Sequence, residues 1–183
     1  MEFSHFNIGA KSQFGSPLKL CYFGLFDERS DQNILLAVAT KVENCEIHIF
    51  GNVVCDISLL SNQKNIIFHG KIAYSELPKL INPIDIFLLP YVRSELTNNI
   101  NPLKLKEYLA TGRPVIATAL PEVAKLKEYL YLGNTQEDFV TTVKDLASAK
   151  IKYDSQKTVD YIKSKETWAS KASFLSELLL QEL

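Results

Sequence analysis

A lysine and a glutamate one helical turn apart are the residues of this chain best suited to hold a charged ligand. Lys104 and Glu107 lie three positions apart in PLKLKEYLA at 102–110, a segment with helical apolar spacing. Pro102 suits the first turn and Asn101 suits the cap, so free N–H groups and a positive dipole end would face a ligand. The lysine could grip a phosphate and the carboxylate a hydroxyl. On spacing alone, an ordinary solvated Lys–Glu pair is the simpler interpretation.

Short apolar runs that alternate with helix-like segments must position these residues. The predicted strands lie at 18–24, 46–51, 65–70, 85–90 and 114–118. The predicted helices lie at 31–42, 74–81, 102–110 and 121–130, with only helices after Leu132, at 135–149, 155–164 and from 167 to the end. Short, continuously apolar strands, each followed by a helix, are typical of a parallel sheet buried on both faces. The predicted fold class is α/β, a doubly wound parallel sheet with a helical C-terminal tail.

In such sheets, ligands bind beyond the carboxyl ends of the strands. The loops at that edge would be 24–31, 51–56, 69–75, 90–104 and 118–122. The first of them, GLFDERSD, has neither the glycine pattern of a dinucleotide-binding fold nor that of a P-loop. NAD and P-loop chemistry are therefore disfavoured.

The composition excludes several other classes of protein. The 183 residues are 46 % hydrophobic and 22 % charged, which favours one folded domain. With 20 Lys+Arg against 21 Asp+Glu, no bulk charge attracts nucleic acid or an anionic membrane. Three widely spaced cysteines indicate neither a disulfide framework nor a zinc site, so a reducing, cytoplasmic location is expected. No apolar run reaches about 18 residues and no signal peptide is recognisable, which leaves at most peripheral membrane association.

The segment TNNINPLKLKEYLATGRPVIAT, from Thr97 to Thr118, resembles the donor-binding segment of the group 1 glycosyltransferases. That family has the two-domain GT-B fold and is similar to glycosyltransferase family 4. Within it, the resemblance is greatest to the teichuronic-acid biosynthesis type, which has a PxKxxEYLAxGxPVV run. YFGLFDERSD, HIFG, NIIFHGKIAYSELPKLI, DIFLLP and Thr167–Trp168 follow the same order and spacing, and MEFSHF is similar to the end of the passage between the family's two domains. The resemblance covers nearly the whole chain but only the C-terminal half of the family's fold.

The resemblance implies three regions. These are an interdomain-linker remnant at 1–16, a Rossmann-like nucleotide-sugar donor-binding domain at 17–164, and a helix at 165–183 that would cross back to an N-terminal acceptor-binding domain. The chain would then be a donor-binding half, whether a shortened chain, the product of a split gene or a relic. It would bind a UDP- or GDP-sugar for retaining transfer to a glycan or lipid-linked acceptor, and would be inactive alone.

Two alternatives remain open. One is a non-catalytic nucleotide-binding or docking module that pairs with a separately encoded acceptor half. The other is a receiver-type or other flavodoxin-like domain, which would leave the run Pro102–Lys104–Glu107 unexplained.

Site roles follow from the resemblance residue by residue. Glu107 would hold the donor ribose hydroxyls, and Arg29 and Lys104 the diphosphate. The backbone from His69 through Gly70 to Ile72 would meet the nucleobase. No catalytic residue, cofactor or metal site is expected in this half.

One departure from the family concerns the sugar. Many members have a further glutamate eight positions before the second, where this chain has Asn99. Either Glu95 or the asparagines Asn98, Asn99 and Asn101 would then bind the sugar, or contact with the sugar would be weakened. Elsewhere, His48 in its apolar strand is expected to be a core histidine.

Overall fold

Six parallel strands form the centre of this chain, and the computed structural model describes residues 1–181. The strands are β1 (Leu18–Phe23), β2 (Cys45–Phe50), β3 (Ile66–Gly70), β4 (Ile86–Leu89), β5 (Val115–Thr118) and β6 (Tyr131–Gly133). Their order in the sheet is β3-β2-β1-β4-β5-β6, and every pairing is parallel. The order reverses between β1 and β4, so the switch point lies at the carboxyl ends of these two central strands.

Helices connect the strands and form the C-terminal tail. They are α1 (Phe3–Phe6), α2 (Gln32–Lys41), α3 (Leu77–Ile81), α4 (Glu95–Asn98), α5 (Leu103–Ala110), α6 (Pro121–Ala124), α7 (Gln136–Ala147), α8 (Ser155–Lys165) and α9 (Trp168–Gln181), with a 3-10 turn at Tyr74–Glu76. Within the described residues no helix has the length and apolarity that crossing a bilayer requires. The tail predicted through residue 183 is helical as far as Gln181, and 182–183 lie outside the described residues.

The sheet is buried on both faces, as its apolar strands predict. Every residue of β4 and β5 is buried, and Leu20 of β1, Phe87 of β4 and Ile116 of β5 have no exposed surface. Burial of such side chains stabilises the fold by about 1.5–3 kcal/mol each. The doubly wound α/β class predicted from the sequence is therefore confirmed.

The prediction of a helix over 121–130 is wrong, and the predicted strands omit β6, whereas the prediction of helices in the C-terminal part of the chain is confirmed by α7, α8 and α9. Helix α6 ends at Ala124, and the next residues form turns in which Leu126 N donates to Val123 O at 3.0 Å. The chain then adds β6 to the sheet beside β5, with Tyr131 opposite Ile116. Leu126 and Leu130 are buried. The apolar residues at helical spacing therefore belong to turns that pack against the core.

The first sixteen residues pack against the sheet domain. Phe6 is 1 % exposed and its ring stacks 5.9 Å from that of Phe23. Lys11 forms an ion pair with the buried carboxylate of Asp85. Close to where the chain begins, the Met1 carbonyl accepts a hydrogen bond from Trp168 N at 3.4 Å. The start of the chain and the start of α9 are therefore neighbours.

Candidate functional site

Lys104 lies at the carboxyl end of β1, over the backbone of Gly24. A Cβ atom at position 24 would come within 2.8 Å of Lys104 Nζ, so the glycine leaves room for the lysine. Gly24 has φ +113° and Gly51, at the end of β2, has φ +136°. A side chain on Gly51 would collide with the Gly24 carbonyl. Two glycines thus allow the lysine to reach the strand end.

The Lys104 side chain is held by two oxygens of the β1 region. Its Nζ donates to the Tyr22 hydroxyl at 2.6 Å and to the Leu25 carbonyl at 3.3 Å, and lies 4.1 Å from the centroid of the Tyr22 ring. Burial, with a smaller contribution from the charge of Arg29, lowers the pKa of Lys104 to about 8. The amine is therefore mostly charged at pH 7 and loses its charge as the pH rises through about 8.

Arg29 lies in the loop after β1 and forms a forked ion pair with Asp27. Arg29 Nε is 3.0 Å from both Asp27 carboxylate oxygens, and Nη2 is 2.6 Å from one of them. These hydrogen bonds lower the pKa of the Asp27 carboxyl, which stays ionised. The pair uses the Nε proton and one of those on Nη2, and a guanidinium has further N–H donors for a ligand.

The loops after β1 and β4 run side by side at the switch point. Val92 N donates to Arg29 O at 2.8 Å, and Asp31 N donates to Pro90 O at 2.7 Å. This pairing fixes Arg29 next to the chain that leads into α5. Arg29 and Lys104, far apart in sequence, thereby meet at one edge of the sheet.

Glu107 lies one helical turn after Lys104 and lines a cavity of about 800 Å³. Tyr74, Leu103 and Trp168 also line this cavity. Burial raises the pKa of the Glu107 carboxyl, while the charges of Lys104 and the chain's amino group oppose the shift. No hydrogen bond joins its carboxylate to another group in the described part of the chain, so its oxygens can accept from a ligand.

The prediction that Asn101 caps the helix is wrong. The N-cap of α5 is Pro102, with φ −72° and ψ 110°, and no side chain among the described residues caps this helix end. The proline is therefore still extended, and the helical conformation begins one residue later, at Leu103. Asn101 itself is exposed.

The remaining candidates for the sugar lie on or beside α4, a single turn that sequence analysis leaves as a polar loop. Ser94 caps this turn by accepting from Thr97 N at 3.1 Å. Glu95, Asn98 and Asn99 are exposed, and Asn99 Nδ2 donates to the Glu95 carbonyl at 2.8 Å. In residues 1–181 none of these three side chains bonds to Arg29, Lys104 or Glu107.

His69, predicted to lie near the nucleobase, is on β3 at the sheet edge. Its Nε2 is 2.9 Å from His48 Nδ1, and its ring stacks 4.2 Å from that of Phe50. His48 also lies 3.3 Å from a Glu46 oxygen, so the prediction of a core histidine is wrong: His48 is half-buried in a polar pair. Burial lowers the pKa of both histidines.

The structure does not bring His69 to the lysine. Its strand is two places from β1, a separation of roughly 10 Å at the usual strand spacing. The Gly70 carbonyl accepts from Gly51 N at 2.8 Å, which joins the 69–72 loop to the glycine pair beneath Lys104. Ile72 packs against the core.

Sequence reasoning missed Tyr22 and the pairing of Asp27 with Arg29. Tyr22 has no exposed surface, and its hydroxyl is the atom closest to the lysine among the described hydrogen bonds. A hydroxyl near the end of an otherwise apolar strand, followed by glycine, was the available signal for Tyr22. For Asp27 the signal was a carboxylate two residues before the arginine.

A doubly wound parallel sheet with cationic side chains at its switch point is the architecture of a Rossmann-like nucleotide-binding domain. Residues 17–149 match the model of the family "Glycosyl transferases group 1". Because this match covers most of the chain, the chain belongs to that family. The putative teichuronic acid biosynthesis glycosyltransferase TuaH of Bacillus subtilis (strain 168) is 41 % identical over 68 residues, which are 37 % of this chain and 17 % of TuaH.

Solved glycosyltransferases share the fold at low sequence identity. Anabaena HepE, in complex with UDP and glucose, is 15 % identical with a TM-score of 0.71 over 90 % of this chain and 48 % of HepE. Sucrose-phosphate synthase from Thermosynechococcus elongatus is 17 % identical with a TM-score of 0.72, over 91 % of this chain and 45 % of the synthase.

A third structure has nearly the extent of this chain. It is the C-terminal domain of the group 1 family protein LpcC from Francisella tularensis, 18 % identical with a TM-score of 0.68 over 92 % of this chain and 99 % of that domain. This chain therefore spans about half the length of HepE and of the synthase, and nearly all of the LpcC domain. These likenesses identify the fold as that of GT-B Rossmann-like domains.

Proposed function

We propose that this chain is the donor-binding half of a retaining glycosyltransferase, which binds a UDP- or GDP-sugar for transfer to a glycan or lipid-linked acceptor. The observation that carries the proposal is the Lys104 ammonium beside Arg29 at the end of β1, with the Glu107 carboxylate one helical turn further along α5. Two cations suit a diphosphate, and a carboxylate suits the ribose hydroxyls.

The charges at the switch point support a diphosphate without requiring a metal ion. A leaving nucleoside diphosphate gains negative charge as the glycosidic bond to it breaks, and fixed cations in a partly desolvated crevice stabilise that charge. Lys104 is a partly buried cation, and Arg29 adds a more exposed positive charge at the same edge of the sheet. HepE with UDP and glucose, and an E. coli trehalose-6-phosphate protein bound to UDP-2-fluoro glucose, have the same fold, which favours a UDP-sugar as the class of donor.

We infer that the chain alone does not transfer sugar. Its length is about half that of HepE and matches the LpcC C-terminal domain, which supports its assignment as one half of a two-domain enzyme. Orientation of donor and acceptor supplies much of the rate of such a reaction, so half of a cleft should turn over little or no donor. Residues 1–16 and the region from 165 onward are then the connections to an acceptor-binding domain.

Isothermal titration with UDP and UMP tests the proposal. We expect UDP to bind, Lys104→Met to weaken UDP at least about tenfold while changing UMP less, and Glu107→Gln to weaken both. Lys127→Met, at an exposed lysine before β6, is the matched control and should leave affinity unchanged. Absence of UDP and GDP binding at millimolar concentration, or equal affinity in Lys104→Met and wild type, would contradict the proposal.

A second candidate is a non-catalytic module that docks on an acceptor half. It is favoured by the exposed apolar side chains of α9, which are Trp168, Phe174, Leu175, Leu178 and Leu179, between 44 % and 67 % exposed. Fusing an acceptor-binding half from a related enzyme ahead of Met1 separates the two candidates. Sugar transfer by the fusion supports the transferase half, and UDP binding without transfer supports the module.

A further inference from the structure

The Tyr22 hydroxyl has every hydrogen-bonding position filled. It donates to the Leu25 carbonyl at 2.6 Å, and it accepts from Lys104 Nζ at 2.6 Å and from Ser30 Oγ at 3.1 Å. A phenol has one donor and two acceptor lone pairs, so these three bonds fix the rotation of the O–H. The ring is fully buried, so the oxygen that meets Lys104 is immobilised by the core.

This oxygen is the nearer of the two that accept hydrogen bonds from the Lys104 ammonium. Charged groups face the amine from two elements: Arg29 and Asp27 from the loop after β1, and Glu107 from its own helix. The Tyr91 ring lies 5.9 Å away on the loop after β4. Two of the three N–H groups of the ammonium are used by Tyr22 and Leu25, and one is left for a ligand oxygen.

We propose that Tyr22 is the positioning residue of the donor site, whose buried hydroxyl holds the Lys104 ammonium at the end of β1 for a diphosphate oxygen. The proposal rests on the proposed function, since it needs a diphosphate at this edge. Tyr22 itself touches no substrate. It acts through the lysine, so removing its hydroxyl should weaken binding of the diphosphate group and leave binding of the nucleoside unchanged.

A double-mutant cycle on UDP affinity tests this role. In the wild-type background, Tyr22→Phe should weaken UDP about tenfold, the usual effect of losing one hydrogen bond to a charged group, and should change UMP less than twofold. In the Lys104→Met background the same substitution should change UDP less than twofold. A merely structural role would weaken UDP and UMP alike in both backgrounds, and that result would overturn the proposal.

Tyr131→Phe is the matched control. It also removes a tyrosine hydroxyl bonded to a backbone carbonyl, that of Lys152 at 2.8 Å, but on β6, three strands from β1. Its UDP affinity should equal that of the wild type. If the wild type itself binds neither UDP nor GDP, the proposed function fails; if the wild type binds and Tyr22→Phe binds equally well, only the positioning role fails.

A measurement on the Lys104 ammonium, in protein that retains Tyr22, covers the case in which Tyr22→Phe does not fold. Lysine ammonium protons held by protein oxygens exchange slowly with water, so NMR of 15N-labelled protein near pH 6 should show a protected ammonium that disappears in Lys104→Met. UDP should shift that resonance. Binding of UDP with no protected lysine, or with no shift, would overturn the role of Tyr22.

Discussion

At the scale of single residues, burial has opposite effects on the two charges of the candidate donor site. It lowers the pKa of Lys104 to about 8 and raises that of Glu107, so it favours the neutral form of each group. The same desolvation would strengthen the contact of each charged form with a ligand. The charge of Lys104 is therefore lost at moderately alkaline pH, whereas Arg29 stays charged because Asp27 raises the pKa of its guanidinium.

UDP affinity should accordingly fall as pH rises from 7 to 9. Only the ammonium form of Lys104 attracts a diphosphate, and with a pKa near 8 most of that form is gone by pH 9. Titration calorimetry at several pH values checks this. Lys104→Arg, whose guanidinium stays charged, should bind nearly independently of pH over the same range, whereas Glu107→Gln should keep the alkaline loss.

The same lysine should make stability depend on pH. In the unfolded chain its pKa returns to the usual value near 10.5, so between about pH 8 and 10.5 the unfolded state binds more protons and the folded state gains stability as pH rises. Relative to Lys104→Met, the wild-type free energy of unfolding should increase by at most about 3 kcal/mol between pH 8 and 10. Urea denaturation of both proteins measures this, and an unchanging difference would contradict the lowered pKa.

At the scale of elements, short apolar strands were predictable and single turns were not. Runs such as DIFLLP and PVIAT are apolar throughout because both faces of the sheet are covered, and they correspond to β4 and β5. The strand β6 has three residues and follows buried leucines at helical spacing, so its pattern was dominated by the turns before it. Helices α1 and α4 have four residues each, too few for any periodicity.

The candidate site was predictable to the extent that it lies within one helix. The spacing of Lys104 and Glu107 places them one turn apart on α5. The contact between Lys104 and Tyr22 joins residues 82 positions apart, and depends on how α5 packs over the end of β1. No local pattern contains that information, and the same holds for the pairing of the loops after β1 and β4.

The glycine pair under Lys104 should be sensitive to a single methyl group. Gly51→Ala would combine an unfavourable positive φ with a collision against the Gly24 carbonyl, and should lower the free energy of unfolding by at least about 3 kcal/mol. Gly9→Ala is the matched control, because Gly9 also has positive φ, +80°, but a methyl group there meets no atom of the described residues within 4 Å. It should cost about 1 kcal/mol. Similar losses in chemical denaturation would contradict the close approach.

At the scale of the whole molecule, α9 carries five of the twelve exposed large apolar side chains among the described residues. Exposed apolar patches of this kind mark surfaces that pack against other groups. We expect the double substitution Phe174→Lys with Leu178→Lys to reduce binding of a hydrophobic dye and concentration-dependent association, with unchanged UDP affinity. Val54→Lys, at an exposed valine outside α9, should change neither dye binding nor association. Sedimentation at several concentrations compares the association of the two variants with that of the wild type.

The hydrogen bond between the Met1 carbonyl and Trp168 N has a mechanical consequence. A force that pulls these two residues apart would act on the few contacts between the start of the chain and the residues before α9. Among them is the hydrogen bond from the Met1 amino group to Glu166 O at 3.5 Å. These contacts lie outside the six strands of the sheet. A neighbour attached at both places would therefore pull on one small region of the chain and not directly on the sheet.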